Sequence, residues 1–245
     1  MGLGRPRMSW GSATPGNRPV PAPRRAALED AARARRPLAA TGLAWADLTG
    51  IRLTGALLHG ADLRGADLNR AELSRAELTG ADLTGTDLGR AGLRGADLTG
   101  ARLTGASLAG ADLTDADLTG ADLTEAVLVN ADLAGARLGA ASMRAANLTH
   151  ATLTGSDLRG ADLGRARLAN ARVTGADLSG ANLRGARLAG VDLHGARLDG
   201  VVWDGATVWP TDADADGLRR RSVRRDDGTL RVAGAGAPPP RSSAE

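Results

Sequence analysis

The sequence lacks residues that most soluble proteins of 245 residues contain: Cys, Phe, Tyr and Lys are all absent. Without Cys the chain has no disulfide, thiolate metal site or cysteine nucleophile. Four Trp are its only aromatic residues, so a core built around large rings is excluded. All 31 basic residues are Arg, yet the net charge is only +3, which is too small for a strong polyanion binder overall.

Long apolar runs are also missing. No stretch approaches the run of about 18 apolar residues that a membrane helix needs. Residues 1–10 carry arginines with no apolar segment behind them, so no secretory signal is predicted. We therefore expect a soluble, cytoplasmic protein with no membrane partner.

What the chain has instead is a period of five. Leu or a similar residue stands at every fifth position from Leu43 to Val208, which makes 34 centres, and 30 of them are Leu. A second column, two residues before each centre, is Ala in 28 cases. Gly fills the last position of the unit in 21 cases. The centres that are not Leu are Met143, Val173, Trp203 and Val208. The sequence predicts an unbroken phase across this whole region.

Neither a helix nor a continuous strand suits this period. Five residues advance about 140° net around an α-helix, so the Leu column would wind over its whole surface. On a continuous strand an odd period sends successive Leu residues to opposite faces. A short strand followed by a corner does suit it, because residues two apart then share an inward face and Gly accepts the corner. The period alone leaves three or four sides per coil open.

Units such as Ala61–Gly65, Ala81–Gly85 and Ala121–Glu125 resemble the A-(D/N)-L-x-x pattern of the pentapeptide-repeat family. The resemblance covers about residues 41–210. It implies an all-β fold, a right-handed quadrilateral β-helix of about eight coils with four units each, flanked by disordered or short-helical tails. Some relatives dimerise through a C-terminal helix, so the resemblance also suggests a homodimer through the C-terminal end.

The ends of the chain differ in composition from the repeats. Residues 1–40 form an Arg-, Pro- and Ala-rich segment with a short helix predicted at 24–36, and residues 1–23 are expected to be disordered. Trp45 is expected to cap the first coil. At the other end, Val201–Trp203 and Val208–Pro210 are expected to plug the last coil. Residues 211–245 are predicted to form a cap or short helix, followed by a disordered tail from about 226.

No catalytic, cofactor or metal constellation is predicted. His59, His150 and His194 fall on outward positions of separate coils, with no nucleophile in a fitting pattern. Asp212–Gly217 opens like a calcium loop, but Val223 stands at the twelfth position, where a bidentate Glu is required. We expect a non-enzymatic protein without a cofactor.

Charge on the outer surface is the remaining candidate for function. Residues 41–135 carry 14 acids and 7 Arg, whereas residues 136–210 carry 6 acids and 9 Arg. On a four-sided coil one face is more acidic than the others. We take its stacked acids as a candidate interaction face: Glu77, Asp97, Asp117, Asp157 and Asp177. The simpler interpretation is that Asp makes hydrogen bonds near each corner.

Two interpretations of function compete. The leading one is a scaffold that presents flat faces to a protein partner. The alternative comes from the family resemblance, since certain pentapeptide-repeat proteins mimic DNA and bind DNA gyrase, which protects it from toxins or drugs. A net charge of −4 over the repeats falls far short of duplex DNA, with about one charge per 1.7 Å. Direct nucleic-acid binding by the Arg-rich N-terminal segment is not expected.

Overall fold

The computed structural model describes residues 17–38, 42–211 and 215–233. The helices and longer strands of the described residues lie toward the two ends of the chain. In chain order they are β1 (Arg18–Pro19), α1 (Ala22–Arg33), β2 (Ala46–Asp47), β3 (Val202–Trp203), α2 (Ala215–Arg220), β4 (Ser222–Arg224) and β5 (Leu230–Val232). Between β2 and β3 the backbone forms single bridges and turns instead of long strands.

The bridges in this middle region are parallel, and all but the last join a residue to the one twenty positions later. Glu77 pairs with Asp97, which in turn pairs with Asp117, and the series starts at Pro37. The chain therefore comes back beside itself after four units of five, which decides the number of units that the period alone left open. The result is a stack of twenty-residue coils.

The unit Ala121–Glu125 illustrates how the backbone is satisfied. The amide of Asp122 donates to the preceding coil (2.9 Å), while the amides of Leu123 and Glu125 donate to the following coil (2.7 and 2.9 Å). The amide of Ala121 closes a turn onto the previous Leu (3.0 Å), and that of Thr124 donates to the Asp122 carboxylate (3.0 Å). All five N–H groups of the unit are therefore bonded, as buried backbone requires.

The corners depend on a positive φ. Every fifth residue from Trp45 to Gly200 has φ in the left-handed region, which makes 32 positions. Twenty of them are Gly and twelve are other residues. Because only Gly adopts this conformation without a steric cost, the corner explains the fifth column of the repeat.

The interior is filled by the two columns that the sequence places inward. From Leu48 to Leu188 no residue of either column is more than 1% exposed. Two members of the Ala column are polar and satisfy their hydroxyls locally. Thr86 donates to a carbonyl of the coil before (2.9 Å), and Ser156 donates to the carbonyl of Leu153 (2.8 Å).

Helix α1 closes the N-terminal end of the stack. Its Leu28 and Ala32 are 5% and 2% exposed and belong to the same core cluster as the repeat leucines. The Arg25 guanidinium donates to the carbonyl of Thr49 (2.6 Å), and the Glu29 carboxylate accepts from the amide of Arg52 (3.2 Å). These contacts satisfy backbone groups that have no preceding repeat coil to pair with.

Two expectations for this end are wrong. Trp45 does not cap the coil: it is 44% exposed, and its ring lies over Gly65 on the outside of the next coil, where a Cβ would fall 2.2 Å from the indole. The expectation of disorder over residues 1–23 is also wrong for residues 17–23. They include β1, which pairs in parallel with β2, and the start of α1. Residues 1–16 and Thr41 lie outside the described part of the chain.

The predicted phase breaks in the last unit. The repeat predicts that Val208 points inward, yet it is 47% exposed, and Thr207 takes the inward Ala-column position predicted for Ala206, which is exposed. The last bridge joins Arg187 to Val208, twenty-one residues apart rather than twenty. The Thr207 hydroxyl donates to the carbonyl of Leu183 (2.8 Å), which lies 24 residues earlier. The Thr86 hydroxyl makes the same kind of contact with a carbonyl 23 residues earlier. One extra residue between Trp203 and Thr207 accounts for the shift.

The C-terminal end is closed by a three-stranded antiparallel sheet in the order β3–β5–β4. Trp203 is buried, donates from its indole N–H to the Ser222 hydroxyl (3.1 Å) and packs edge-on against Trp209. The expectation of disorder from about residue 226 is wrong for 226–233, which complete the β4–β5 hairpin. Residues 212–214, with most of the calcium-like acids, and 234–245 lie outside the described residues.

Replacing an inward alanine by a charge should collapse the stack. Ala111 is 1% exposed, so Ala111→Asp buries a carboxylate with no partner and should lower the free energy of unfolding by about 4 kcal/mol or more. Ala140→Asp, at an exposed corner, is the matched control and should be nearly neutral. Thermal unfolding measures both. An unchanged melting temperature for Ala111→Asp contradicts the inward assignment.

Relieving a strained corner should stabilise the protein. Ala145 is exposed and has φ +55°, so Ala145→Gly should raise the free energy of unfolding by about 1 kcal/mol. Ala134 lies one position earlier in its unit, outside the set of positive φ angles, so Ala134→Gly should be neutral or destabilising. Denaturant titration of the two variants checks the difference, and equal effects would contradict this account of the corners.

Candidate interaction face

The five acids singled out from the sequence lie in one outward column. Parallel bridges connect Glu77, Asp97 and Asp117, continue through Arg137, and reach Asp157 and Asp177 before ending at Arg197. We call this column the acidic face and define it by these positions. The structure therefore brings the predicted residues onto one side of the stack, at one residue per coil.

Each Asp of the acidic face also has a structural role. The Asp157 carboxylate accepts from the amide two residues later, that of Arg159 (3.1 Å), and Asp177 accepts in the same way from Ser179 (2.9 Å). The bond recurs at all sixteen repeat positions with Asp or Asn before the central residue. Asp and Asn are favoured there because they form this local turn bond.

Arg35 neutralises the N-terminal end of the acidic face. Glu77 forms an ion pair with Arg35 and a hydrogen bond with the His59 imidazole (2.7 Å). These two groups, Arg35 first, hold the pKa of Glu77 below its ordinary value. Arg35 lies just beyond helix α1 and outside the repeats, so the repeat pattern gives no signal for this contact.

Arginines neutralise the rest of the face. The carboxylates of Asp117, Asp157 and Asp177 lie 3.5, 2.6 and 3.6 Å from guanidinium nitrogens. The partners are Arg137, Arg159 and Arg197. Asp97 has no arginine within ion-pair distance among the described residues, and its second oxygen accepts from Thr79 (3.0 Å). The acidic face is therefore a row of paired charges, with little net field.

The pKa shifts on this face follow from the same contacts. The Arg159 guanidinium is the main cause that holds the pKa of Asp157 below 3.8. Partial burial raises the pKa of Asp97, but hydrogen bonds from Thr99 and Thr79 outweigh it, and the net shift is downward. These carboxylates are therefore ionised throughout the neutral range.

Clusters of acidic or His side chains and surface depressions are the places where metal or catalytic chemistry would lie. No group of three or more acidic or His side chains is placed to hold a metal ion within the described ranges. A depression against α1, lined by Arg24, Leu28 and Pro37 among others, has no acid or nucleophile in its lining. In the ranges described above, no helix is both long and apolar enough to cross a membrane.

Comparison with known families agrees with the repeat geometry. The family pattern described as pentapeptide repeats (8 copies) matches in overlapping blocks from residue 46 to residue 202, well over half of the chain. This chain is a pentapeptide-repeat protein. No curated protein sequence gives a significant match.

Solved structures of other pentapeptide-repeat proteins are similar to parts of this chain. Rfr23 from the cyanobacterium Cyanothece 51142 is 44% identical over 38% of this chain and 63% of its own length, with a TM-score of 0.38. HetL from Nostoc sp. strain PCC 7120, involved in heterocyst differentiation regulation, is 38% identical over 66% and 86%, with a TM-score of 0.34. QnrB1, a plasmid-mediated fluoroquinolone resistance protein, is 20% identical over 63% and 87%, with a TM-score of 0.52, and shares the fold.

The protein should lose stability in acid. Asp97, Asp122, Asp157 and Asp177 have folded-state pKa values below 3.8. Their contribution is complete above the unfolded value near 3.8 and is lost as the pH falls through the lower folded values. Thermal melts from pH 7 to pH 2 should show a fall that begins below about pH 4. A melting temperature that is flat or rises over this range contradicts the assignment.

Proposed function

We propose that this protein is a non-enzymatic scaffold, a right-handed quadrilateral β-helix whose flat outer faces bind a protein partner. The observation that carries the proposal is the outward grid of side chains, one per coil, over an interior in which both columns are no more than 1% exposed from Leu48 to Leu188. Flat, rigid and regularly spaced surfaces are what stacked repeats offer to partners.

An enzymatic role is disfavoured by the separation of reactive groups. His59, His150 and His194 belong to different coils, and each occupies a corner or the position beside it. His59 is the one that meets a carboxylate, Glu77, which is already bonded to Arg35. Catalysis needs converging groups around a reacting atom, and the described surface offers grooves without them.

A DNA-mimicking modulator of DNA gyrase is the alternative. In its favour stands the shared fold with QnrB1, described as a fluoroquinolone resistance protein. Against it stand the ion pairs of the acidic face, because a carboxylate held by arginine presents little of the field of a phosphate row. The scaffold proposal therefore comes first.

A face-specific capture experiment tests the scaffold proposal. Asp117→Arg with Asp177→Arg reverses two charges on the acidic face, while Asp112→Arg with Asp132→Arg reverses two on another side. All four Asp lose the same local turn bond, so the double variants are matched for that contribution to stability, and thermal melts of both measure the added effect of the ion pairs of Asp117 and Asp177. We expect a partner retained by the unmodified protein to be lost only with the first variant. Equal retention by both variants would contradict the choice of face.

A supercoiling assay with DNA gyrase, with and without a quinolone, distinguishes the scaffold proposal from DNA mimicry. The scaffold proposal predicts no change in supercoiling and no relief of quinolone inhibition at micromolar protein. Inhibition or protection at that concentration would overturn the proposal in favour of DNA mimicry.

A further inference from the structure

A different side of the stack segregates its charges by sign. Its outward column, one residue per coil, is joined by parallel pairing from β1 to the last coil. We call it the split face. In order its ten residues are Pro19, Asp47, Asp67, Asp87, Ser107, Val127, Asn147, Arg167, Arg187 and Val208.

The charged groups of the split face have no ion-pair partners among the described residues. Asp67 and Asp87 accept only from the amides two residues on, at 3.0 and 2.8 Å. Arg167 and Arg187 are exposed, and within the described ranges their guanidinium groups form no hydrogen bond or ion pair, although their backbones pair with the neighbouring coils. On the acidic face, by contrast, arginines lie close enough to Asp117, Asp157 and Asp177 to neutralise them. The split face separates its charges along the ladder: acids occupy its first half and arginines its second, and Asp87 lies four coils, or about 19 Å, from Arg167.

Exposed apolar groups also concentrate on this side. Four large hydrophobic residues are exposed in the described structure, and three of them lie on the split face or at its edge. Val127 (37%) stands at the middle and Val208 (47%) at the C-terminal end, while Trp45 (44%) lies along the edge over Gly65. Exposed apolar groups that cluster with unpaired charges are typical of a surface that is covered in the functional assembly.

The order of residues on the split face is complementary to itself when reversed. A twofold axis across the column, midway between Ser107 and Val127, places Asp47 opposite Arg187 and Asp67 opposite Arg167 of a second copy. Asp87 then faces Asn147, and the exposed Pro19 faces Val208. Every charged pair is of opposite sign, and the neutral and apolar positions meet at the centre and at the ends. A self-complementary patch of this kind defines an isologous dimer interface.

We propose that two copies of this chain associate antiparallel through their split faces. This interface goes beyond the proposed scaffold role, which does not depend on it. Ten positions at about 4.8 Å give a length of about 43 Å, and five residues per side give a width of at most about 17 Å, so each copy can bury roughly 700 Å². That is close to the roughly 800 Å² per partner of a standard specific interface.

The edges of the split face fit the same arrangement. Because the twofold axis lies across the stack, each lateral edge faces its own counterpart. The corner at Gly65, covered by the Trp45 ring, then lies opposite Arg165 of the second copy, an exposed arginine with no ion pair among the described residues. Arginine over an indole ring is a favourable contact. Beside the column, the small Ala169 and Ala189 let the two faces approach closely.

Other occupants fit the split face less well. A parallel pair of copies places acids against acids and arginines against arginines. A polyanion engages only the arginine half and is repelled by Asp47, Asp67 and Asp87. A reversed copy of the same face, by contrast, satisfies both halves at once.

Charge reversal with mixing tests the dimer. The unmodified protein should be dimeric by sedimentation velocity, and its dissociation constant should rise with salt. The acid-reversed double variant, Asp47→Arg with Asp67→Arg, and the arginine-reversed double variant, Arg167→Asp with Arg187→Asp, should each be monomeric. Mixing the two should restore dimers, because a face with four arginines and the single acid Asp87 then meets an all-acidic face, and Asp87 still lies opposite the neutral Asn147. The recovery of dimers shows that each variant is folded.

Matched controls and cross-links make the outcome decisive. Asp112→Arg with Asp132→Arg, on another side, should remain dimeric. Since the chain has no native cysteine, Thr49→Cys mixed with Ala189→Cys should form an inter-chain disulfide, and neither variant alone should. Three results would each overturn the proposal. The unmodified protein could be monomeric, or dimers could persist in both reversed variants, as a contact at the C-terminal end would give. The third is cross-linking of Thr49→Cys with itself.

Discussion

The parallel backbone ladder between residues twenty apart is the interaction on which the rest of the structure depends. Each coil donates some amides to the coil before and others to the coil after, with bond lengths near 2.7–3.0 Å. The short side chains of the Ala column and the Leu column fit inside only because the ladder holds the coils at a constant spacing. No large ring is needed in such an interior, which explains how a chain without Phe or Tyr forms a continuous core.

Both ends of the ladder leave backbone groups that must find other partners, and the two ends solve this differently. Helix α1 uses side chains, with Arg25 and Glu29 taking the place of a missing coil. The C-terminal end uses backbone, since β5 adds an antiparallel strand to β3. The extra residue before Thr207 turns the chain out of the repeat just where the Trp203–Trp209 pair covers the interior. Capped ends keep the ladder from pairing with other chains at its edges.

The periodic part of the structure could be predicted from sequence because each unit repeats the same physical requirement. The inward columns, the left-handed corner and the local bond of Asp all follow from one five-residue pattern. Features without a repeat could not be predicted in this way. Arg35 reaches Glu77 from outside the repeats, and the shift at Val208 is hidden because Ala206 and Thr207 both suit the small inward position. Trp45 was misplaced since its corner points outward, over Gly65.

The same ladder makes the outer surface a fixed grid, so function must lie in which side chains are stacked on each side. On the acidic face the charges are paired within the chain, and on the split face they are separated. Cysteine pairs test the grid most directly. Thr104→Cys combined with Thr124→Cys, twenty residues apart, should form a disulfide on oxidation, since neighbouring strands about 4.8 Å apart suit its geometry. Thr104→Cys combined with Thr114→Cys or with Thr119→Cys, ten or fifteen residues away, should form no disulfide. A disulfide between positions 104 and 119 would contradict the four-unit coil.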